Sequence, residues 1–154
     1  MAISQKRTRT AKPPRFLLLE DNWQHAETLK VWLEAEFLGA DVRVMDTAKE
    51  FQHGLDAIAA DPPDVIILDM MVRYTDADDA DSITGSKDED FFTAGARCYD
   101  LLASRNLAAR AILYSVIDKD DLRKELAHLV KAHVQKREDK GDLLAKIKCL
   151  LKQV

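Results

Sequence analysis

Five short, mainly apolar runs recur along the chain, and a segment of helical length separates each run from the next. The runs occupy residues 16–19, 42–45, 65–68, 111–114 and 132–135, and the last is the weakest. Continuous apolar runs of this length are typical of strands buried on both faces of a sheet. Strands that alternate with helices form right-handed βαβ crossovers. The order therefore predicts an α/β domain with a doubly wound parallel sheet of five strands and helices on both faces.

The segments between the runs carry apolar residues at helical spacing, so we expect five helices. The first stripe runs from Ala26 to Phe37 and ends before Gly39, a residue type common at helix C-termini. The later stripes are Phe51, Leu55 and Ile58; Phe92, Ala96, Tyr99 and Ala103; Leu122, Leu126 and Leu129; and Leu144, Ile147 and Leu151.

The composition favours one globular domain. The chain has 154 residues, of which 47% are hydrophobic, and this is enough for a single core. No apolar stretch has the length of a membrane span or of a signal peptide, so we expect a cytoplasmic protein. Cys98 and Cys149 show no metal-binding spacing and are expected to be reduced thiols on helix faces.

Charge is distributed unevenly. The first fifteen residues contain five basic residues and no acid, although the whole chain has a net charge of −4. We expect a flexible basic leader over residues 1–14 and a domain over residues 15–154. The acidic domain would repel phosphates, so no nucleic-acid partner is expected. Acidic residues also crowd residues 73–90, where we expect a loop insertion without fixed structure.

Polar residues follow the predicted strands where each strand ends. Glu20 and Asp21 follow the first strand, Asp69 the third, Ser115 the fourth and Lys136 the fifth. In an open parallel sheet, binding sites form outside the carboxyl ends of the strands. Three carboxylates brought together there need a cation, and oxygen ligands suit Mg²⁺. A hydroxyl and an ammonium group beside them could hold a phosphoryl group, which makes Asp69 a candidate phosphoacceptor.

This arrangement resembles the CheY-like receiver domains of bacterial response regulators, over most of the chain from residue 15 onwards. The resemblance implies a flavodoxin-like strand order of 2-1-3-4-5. It also implies that Asp69 accepts a phosphoryl group from a histidine kinase or a histidine phosphotransfer protein, and that Ser115 and Lys136 contact the phosphoryl oxygens. The implied Mg²⁺ ligands are Glu20, Asp21, Asp69 and the backbone carbonyl of Met71.

Two positions near the fifth strand depart from the family pattern. His133 stands three residues before Lys136, where the family has an aromatic switch residue. It is a switch candidate, although a partly exposed strand histidine is the favoured interpretation. Arg137 follows Lys136 where the family commonly has a cis proline, so we expect a trans peptide there.

Three functions are consistent with the sequence. The first is a stand-alone receiver, a phosphoacceptor rather than an enzyme with turnover, that signals to a downstream protein by contact and binds no membrane. The second is a phosphorylation-independent pseudo-receiver. The third is a phosphohydrolase with Asp69 as its nucleophile, but Met71 stands where enzymes of the haloacid-dehalogenase type carry a general acid.

Overall fold

The protein was analysed as a computed structural model, which describes residues 12–73, 88–122, 124–137 and 139–153. Residues 1–11 of the expected leader and residues 74–87 of the expected acidic loop lie outside the described residues. The strands are β1 (Arg15–Leu19), β2 (Asp41–Met45), β3 (Val65–Leu68), β4 (Ala111–Ser115) and β5 (His133–Gln135). The α-helices are α1 (Trp23–Glu36), α2 (Ala48–His53), α3 (Leu55–Ala60), α4 (Asp88–Ser104) and α5 (Gly141–Leu151). Short 3₁₀ helices occupy Ala108–Arg110, Lys119–Asp121 and Lys124–Leu129.

The five strands form one parallel sheet in the order β2-β1-β3-β4-β5, which confirms the predicted fold class. Leu19 at the end of β1 pairs with Leu68 at the end of β3. Ser115 at the end of β4 pairs with Gln135 at the end of β5. The carboxyl ends of these four strands therefore lie at one edge of the sheet.

The sheet separates two apolar cores. Alternate strand residues point to opposite faces, so Leu17, Leu19 and Leu68 belong to one core while Phe16 and Leu18 belong to the other. Helices α2, α3 and α4 cover the first core, and helices α1 and α5 cover the second. Burial on both sides explains why β1, β3 and β4 read as continuous apolar runs in the sequence, whereas the edge strand β2 is mostly exposed.

Helix α1 forms where the sequence predicts it. The side chain of Asn22 accepts hydrogen bonds from the backbone N–H groups of Gln24 and His25, at 3.0 and 3.1 Å, and so caps the first turn. The helix ends at Glu36, and Gly39 takes a left-handed conformation with φ of 78° in the following turn. None of the helices in the described part of the chain is long and apolar enough to cross a membrane.

The segment between β2 and β3 differs from the prediction. One amphipathic helix was expected there, but two short helices, α2 and α3, meet at Gly54. Glycine has a poor helix propensity because its backbone loses the most freedom on ordering. The predicted apolar residues are nevertheless buried, since Phe51, Leu55 and Ile58 all pack in the first core.

The segment between β4 and β5 also differs from the prediction. An α-helix was expected from the leucine spacing, but the described residues form 3₁₀ helices at Lys119–Asp121 and Lys124–Leu129. Leu126 and Leu129 are three residues apart, and this spacing places side chains on one face of a 3₁₀ helix. Leu129 is fully buried and Leu126 packs beside it, so the tighter helix satisfies the same apolar contacts.

The buried face of α5 is rotated from the predicted one. Leu143, Ile147 and Leu150 are buried, whereas Leu144 and Leu151 are only partly buried. Both sets have helical spacing and share Ile147, so the sequence pattern alone does not distinguish them. The packing of α5 against the second core selects the first set.

Two further boundaries are more ordered than expected. Helix α4 begins at Asp88, so the last three residues of the expected loop are helical. The carbonyl of Pro14 accepts a hydrogen bond from the backbone N–H of Asp41 at 3.1 Å, which ties the end of the expected leader to β2.

The two cysteines are both free thiols but differ in accessibility. We predict that under native conditions a thiol reagent modifies Cys149 on α5 quickly and leaves Cys98 on α4 unmodified. Cys98 is fully buried, and burial raises the pKa of its thiol to about 12, so almost no reactive thiolate is present at neutral pH. Labelling kinetics followed by intact mass give the measurement.

The Cys149→Ser variant is the matched control and should lose the fast phase only. Labelling of Cys98 should appear together with global unfolding in denaturant. Fast labelling of both thiols in native buffer would contradict the burial of Cys98.

Candidate functional site

Three carboxylates meet at the carboxyl ends of β1 and β3. Glu20, Asp21 and Asp69 each offer one carboxylate oxygen, and these oxygens lie within 4.8 Å of one another. The backbone fixes two of the positions. The N–H of Glu20 donates to the carbonyl of Met45 on β2 at 3.0 Å, and the N–H of Asp69 donates to the carbonyl of Leu19 at 2.9 Å. The sheet therefore extends to the first polar residue after each of these strands.

The ammonium group of Lys136 lies against this cluster. Its Nζ donates to Glu20 Oε2 at 2.9 Å and to Asp69 Oδ2 at 3.1 Å, so one cation bridges the ends of two strands. The backbone N–H of Lys136 donates to the carbonyl of Ser115 at 2.7 Å, which holds the residue at the end of β5. Nζ also lies 5.5 Å from the centroid of the Tyr114 ring, within the range of a cation–π contact.

Burial and neighbouring charges shift the pKa values of Asp69 and Lys136. Burial raises the pKa of the Asp69 carboxyl, and the neighbouring Glu20 raises it further, against the lowering effect of Lys136. For Lys136, burial alone would lower the pKa of the ammonium, but the charges and hydrogen bonds of Asp69 and Glu20 raise it above its ordinary value. Lys136 therefore stays charged, and the extra negative charge of the cluster favours binding of a further cation.

Backbone N–H groups orient the three carboxylates. The N–H of Asn22 donates to Glu20 Oε1 at 3.1 Å, and the N–H of Met71 donates to Asp69 Oδ1 at 3.2 Å. The N–H of Arg73 donates to Asp21 Oδ2 at 3.1 Å. Each carboxylate thus accepts one backbone hydrogen bond, which restricts its orientation.

The residues present fit a magnesium ion. Mg²⁺ prefers hard oxygen ligands and in proteins is held by one or two carboxylates, with other oxygens completing its shell. Among the described residues, the cluster of Glu20, Asp21 and Asp69 is the one group of three or more potential ligand side chains. Met71 follows Asp69 by two residues, so its backbone lies next to the cluster.

Ser115 lies at the same edge of the sheet but has a separate local contact. Its side chain is fully buried at the end of β4, and its Oγ accepts a hydrogen bond from the N–H of Ile117 at 3.2 Å. The structure therefore brings Glu20, Asp21, Asp69 and Lys136 into one cluster, while the hydroxyl of Ser115 is bonded within its own loop. The following residue, Val116, is 57% exposed.

Of the two predictions made near β5, the one for His133 is wrong and the one for the peptide bond after Lys136 agrees with the structure. His133 was expected to be partly exposed, but it is buried, with a relative exposure of 3%. It is the first residue of the edge strand β5 and pairs with Leu113 in the centre of β4. No cis peptide bond occurs in the described residues, in agreement with a trans bond between Lys136 and Arg137.

Sequence reasoning missed two residues that shape the site. Gly95 on α4 donates its N–H to the carbonyl of Met70 at 3.0 Å, and the helix backbone there touches the backbone of Asp69 and Met70. Arg73 forms an ion pair with Asp21, at 3.5 Å between Nε and Oδ2. The helical pattern around Gly95 does not indicate that α4 approaches the backbone of Asp69 there. Arg73 was missed because it lies at the start of a stretch interpreted as a loop.

Comparison with known proteins identifies the fold. No protein family model matches the chain, and no curated protein sequence matches it. Among solved structures, the signal receiver domain of a modulated diguanylate cyclase from Desulfovibrio desulfuricans matches with a TM-score of 0.60 and 22% identity, over 92% of this chain and 96% of that one.

Two further matches are structures described with magnesium. The response regulator TrrA from Thermotoga maritima, in complex with Mg²⁺ and BeF, has a TM-score of 0.63 and 20% identity, over 90% of this chain and 99% of that one. The second match is the receiver domain of a sensor histidine kinase from Pseudomonas aeruginosa, described with a magnesium ion coordinated in its active site cleft. It has a TM-score of 0.59 and 13% identity, over 92% of this chain and 99% of that one. At these identities the likeness shows the fold, which is that of response regulator receiver domains.

Gly95→Ala should destabilise the protein. A Cβ at this position would press on the carbonyl oxygen of Asp69 and lie 2.6 Å from the Cα of Met70, and neither backbone atom can rotate away. Alanine normally stabilises a helix by about 0.5–1 kcal/mol relative to glycine, but overpacking typically costs about 1–3 kcal/mol. We expect a net loss of roughly 1–2 kcal/mol in the free energy of unfolding, measured by chemical denaturation.

Gly141→Ala, at the start of α5, is the matched control. The nearest atom to its added Cβ is a carboxylate oxygen of Asp139 at 3.2 Å, and that side chain can move. Equal effects of the two substitutions would contradict the close approach of α4 to Asp69.

Proposed function

We propose that the chain is a response regulator receiver that accepts a phosphoryl group on Asp69. Glu20, Asp21, Asp69 and the backbone carbonyl of Met71 would hold Mg²⁺, and Ser115 and Lys136 would contact the phosphoryl oxygens. The observation that supports the proposal is the bridge from Lys136 to both Glu20 and Asp69, because a cation next to Asp69 and further carboxylates is what a phosphoacceptor needs.

The chemistry of transfer needs little beyond position and charge. A carboxylate oxygen of Asp69 attacks the phosphorus in line, and the bond from phosphorus to the donor breaks, with its electron pair leaving on the donor. Bound Mg²⁺ would supply charge neutralisation for the phosphoryl oxygens. The two hydrogen bonds on Asp69, from the N–H of Met71 and from Lys136, orient the acceptor before the reaction. The ammonium of Lys136 is then in place to share a proton with a phosphoryl oxygen.

The signal would come from residues that respond to the new charge. The hydroxyl of Ser115 would leave the N–H of Ile117 and donate to a phosphoryl oxygen, and this would draw the loop of Val116 inward. His133 is the candidate switch residue, because it is buried beside β4 and cannot move without a change in the β4–β5 region. A histidine kinase or a histidine phosphotransfer protein is the proposed donor, and a cytoplasmic protein that docks by contact is the proposed output.

Asp69→Asn should abolish phosphorylation, because the amide replaces the nucleophilic oxygen. After incubation with Mg²⁺ and a small-molecule phosphodonor, intact mass spectrometry should detect one added phosphoryl group on the parent chain and none on this variant. Asp46→Asn is the matched control, since Asp46 is an exposed acid just after β2 and lies outside the three-carboxylate cluster.

An adduct on Asp46→Asn together with none on Asp69→Asn supports the assignment. Absence of an adduct on the parent chain would overturn it and favour an interaction module that works without phosphorylation. Continuous release of phosphate from many donors would instead favour a hydrolase.

Mg²⁺ should stabilise the folded protein through the same carboxylates. A ligand that binds only the folded state at 100 times its Kd adds about 2.7 kcal/mol to the free energy of unfolding. We expect the melting temperature to rise with Mg²⁺ concentration in the parent chain and in Asp56→Asn, a control at an exposed acid of α3 outside the groove, and to rise much less in Asp21→Asn. An equal rise in all three proteins would show that the ion binds elsewhere.

A further inference from the structure

A second cation, Arg73, contacts the acidic cluster at Asp21, whereas Lys136 contacts Glu20 and Asp69. Arg73 stands four residues after Asp69 and contacts Asp21 in three ways. Its backbone N–H donates to Asp21 Oδ2 at 3.1 Å, its Nε lies 3.5 Å from the same oxygen, and its Nη2 donates to the carbonyl of Asp21 at 3.4 Å. The guanidinium is therefore held against one of the three carboxylates.

The backbone keeps Arg73 in this position. Its carbonyl accepts a hydrogen bond from the N–H of Ala48, the first residue of α2, at 2.9 Å. Together with the N–H bond to Asp21, this anchors the residue between the ends of β1 and β2. Both anchors use backbone atoms, so a change of side chain at position 73 leaves them available.

Arg73 is surrounded mainly by acidic residues. A groove beside the site is lined by the carboxylates of Glu20, Asp21, Glu27, Asp46 and Glu50. Among the described residues that line this groove, Arg73 has the only cationic side chain. The Arg73 side chain is half exposed, with 46% of it accessible, so solvent partly screens its interaction with the carboxylates of the cluster.

The charges of the site can be followed through the proposed reaction. Three carboxylates with Lys136 and Arg73 leave one net negative charge. A divalent metal ion turns this into one positive charge, which attracts an anionic phosphodonor. An aspartyl phosphate carries about two negative charges in place of one, so transfer leaves the loaded site neutral. Without Arg73, the loaded site would be neutral before transfer and negative after it.

We propose that the charge of Arg73 sets the affinity of the phosphoacceptor site for its metal ion and its phosphoryl group. This positive charge weakens the binding of a divalent cation to the free site and stabilises the phosphorylated site. This inference rests on the proposed function. A purely structural role for Arg73, that of orienting Asp21, leads to the opposite expectation for the metal, because its loss would then weaken metal binding.

Two binding measurements on the full chain test this assignment. The first is Mg²⁺ affinity by titration calorimetry. The second is the affinity for beryllofluoride at saturating Mg²⁺, followed by the fluorescence of Trp23, which is 75% exposed and lines the same groove. Beryllofluoride on a carboxylate carries two negative charges in total, as an aspartyl phosphate does.

Arg73→Met should bind Mg²⁺ about three- to tenfold more tightly and beryllofluoride more weakly by a similar factor, as expected for the loss of one partly screened charge near the site. Arg73→Lys keeps the charge and should restore both affinities towards those of the parent. Arg43→Met, at an exposed arginine on β2, is the matched control and should change neither.

The outcomes separate this inference from the proposed function. Opposite changes in the two affinities, reversed by lysine, support it. Unchanged affinities in Arg73→Met, or a weaker affinity for Mg²⁺, would overturn it while the receiver function stands. A parent chain that binds neither Mg²⁺ nor beryllofluoride would overturn the proposed function itself.

Discussion

The site depends on the ion pairs that the ammonium group of Lys136 forms with Glu20 and Asp69. Three carboxylates within 4.8 Å of one another repel each other, and burial strengthens that repulsion. Lys136 comes 116 positions after Glu20 in the chain and bonds both Glu20 and Asp69. The ends of β1 and β3 position the carboxylates, and the end of β5 supplies the cation that contacts two of them.

Backbone contacts hold the carboxylates and Lys136 in their positions. The ends of β1, β3 and β5 set the backbone positions, and single backbone N–H groups orient each carboxylate. Gly95 lets α4 rest directly on the backbone of Asp69 and Met70, so the backbone that carries the Asp69 side chain is supported from behind. Such a rigid support would suit the proposed phosphoryl transfer, where position and charge account for most of the catalysis.

Much of the fold could be predicted from the sequence, because burial on both faces leaves a strong pattern. The apolar runs identified all five strands, and four of the five polar residues predicted to meet after them lie in one cluster, namely Glu20, Asp21, Asp69 and Lys136. The segment between β4 and β5 could not be predicted, because leucines at positions 122, 126 and 129 suit an α-helix as well as the observed 3₁₀ turns. For α5 the helix type was right but two apolar faces had equal helical spacing, and the wrong one was chosen. His133 was expected to be more exposed than it is.

The sequence by itself determined the order of the elements and which residues follow each strand, since these depend on local periodicity and on the geometry of parallel sheets. Only the tertiary structure decided the contacts between distant segments. It placed Lys136 between Glu20 and Asp69, Arg73 against Asp21, and Gly95 on the backbone of Asp69. These contacts depend on distances and charges across the folded chain, and a linear pattern contains neither.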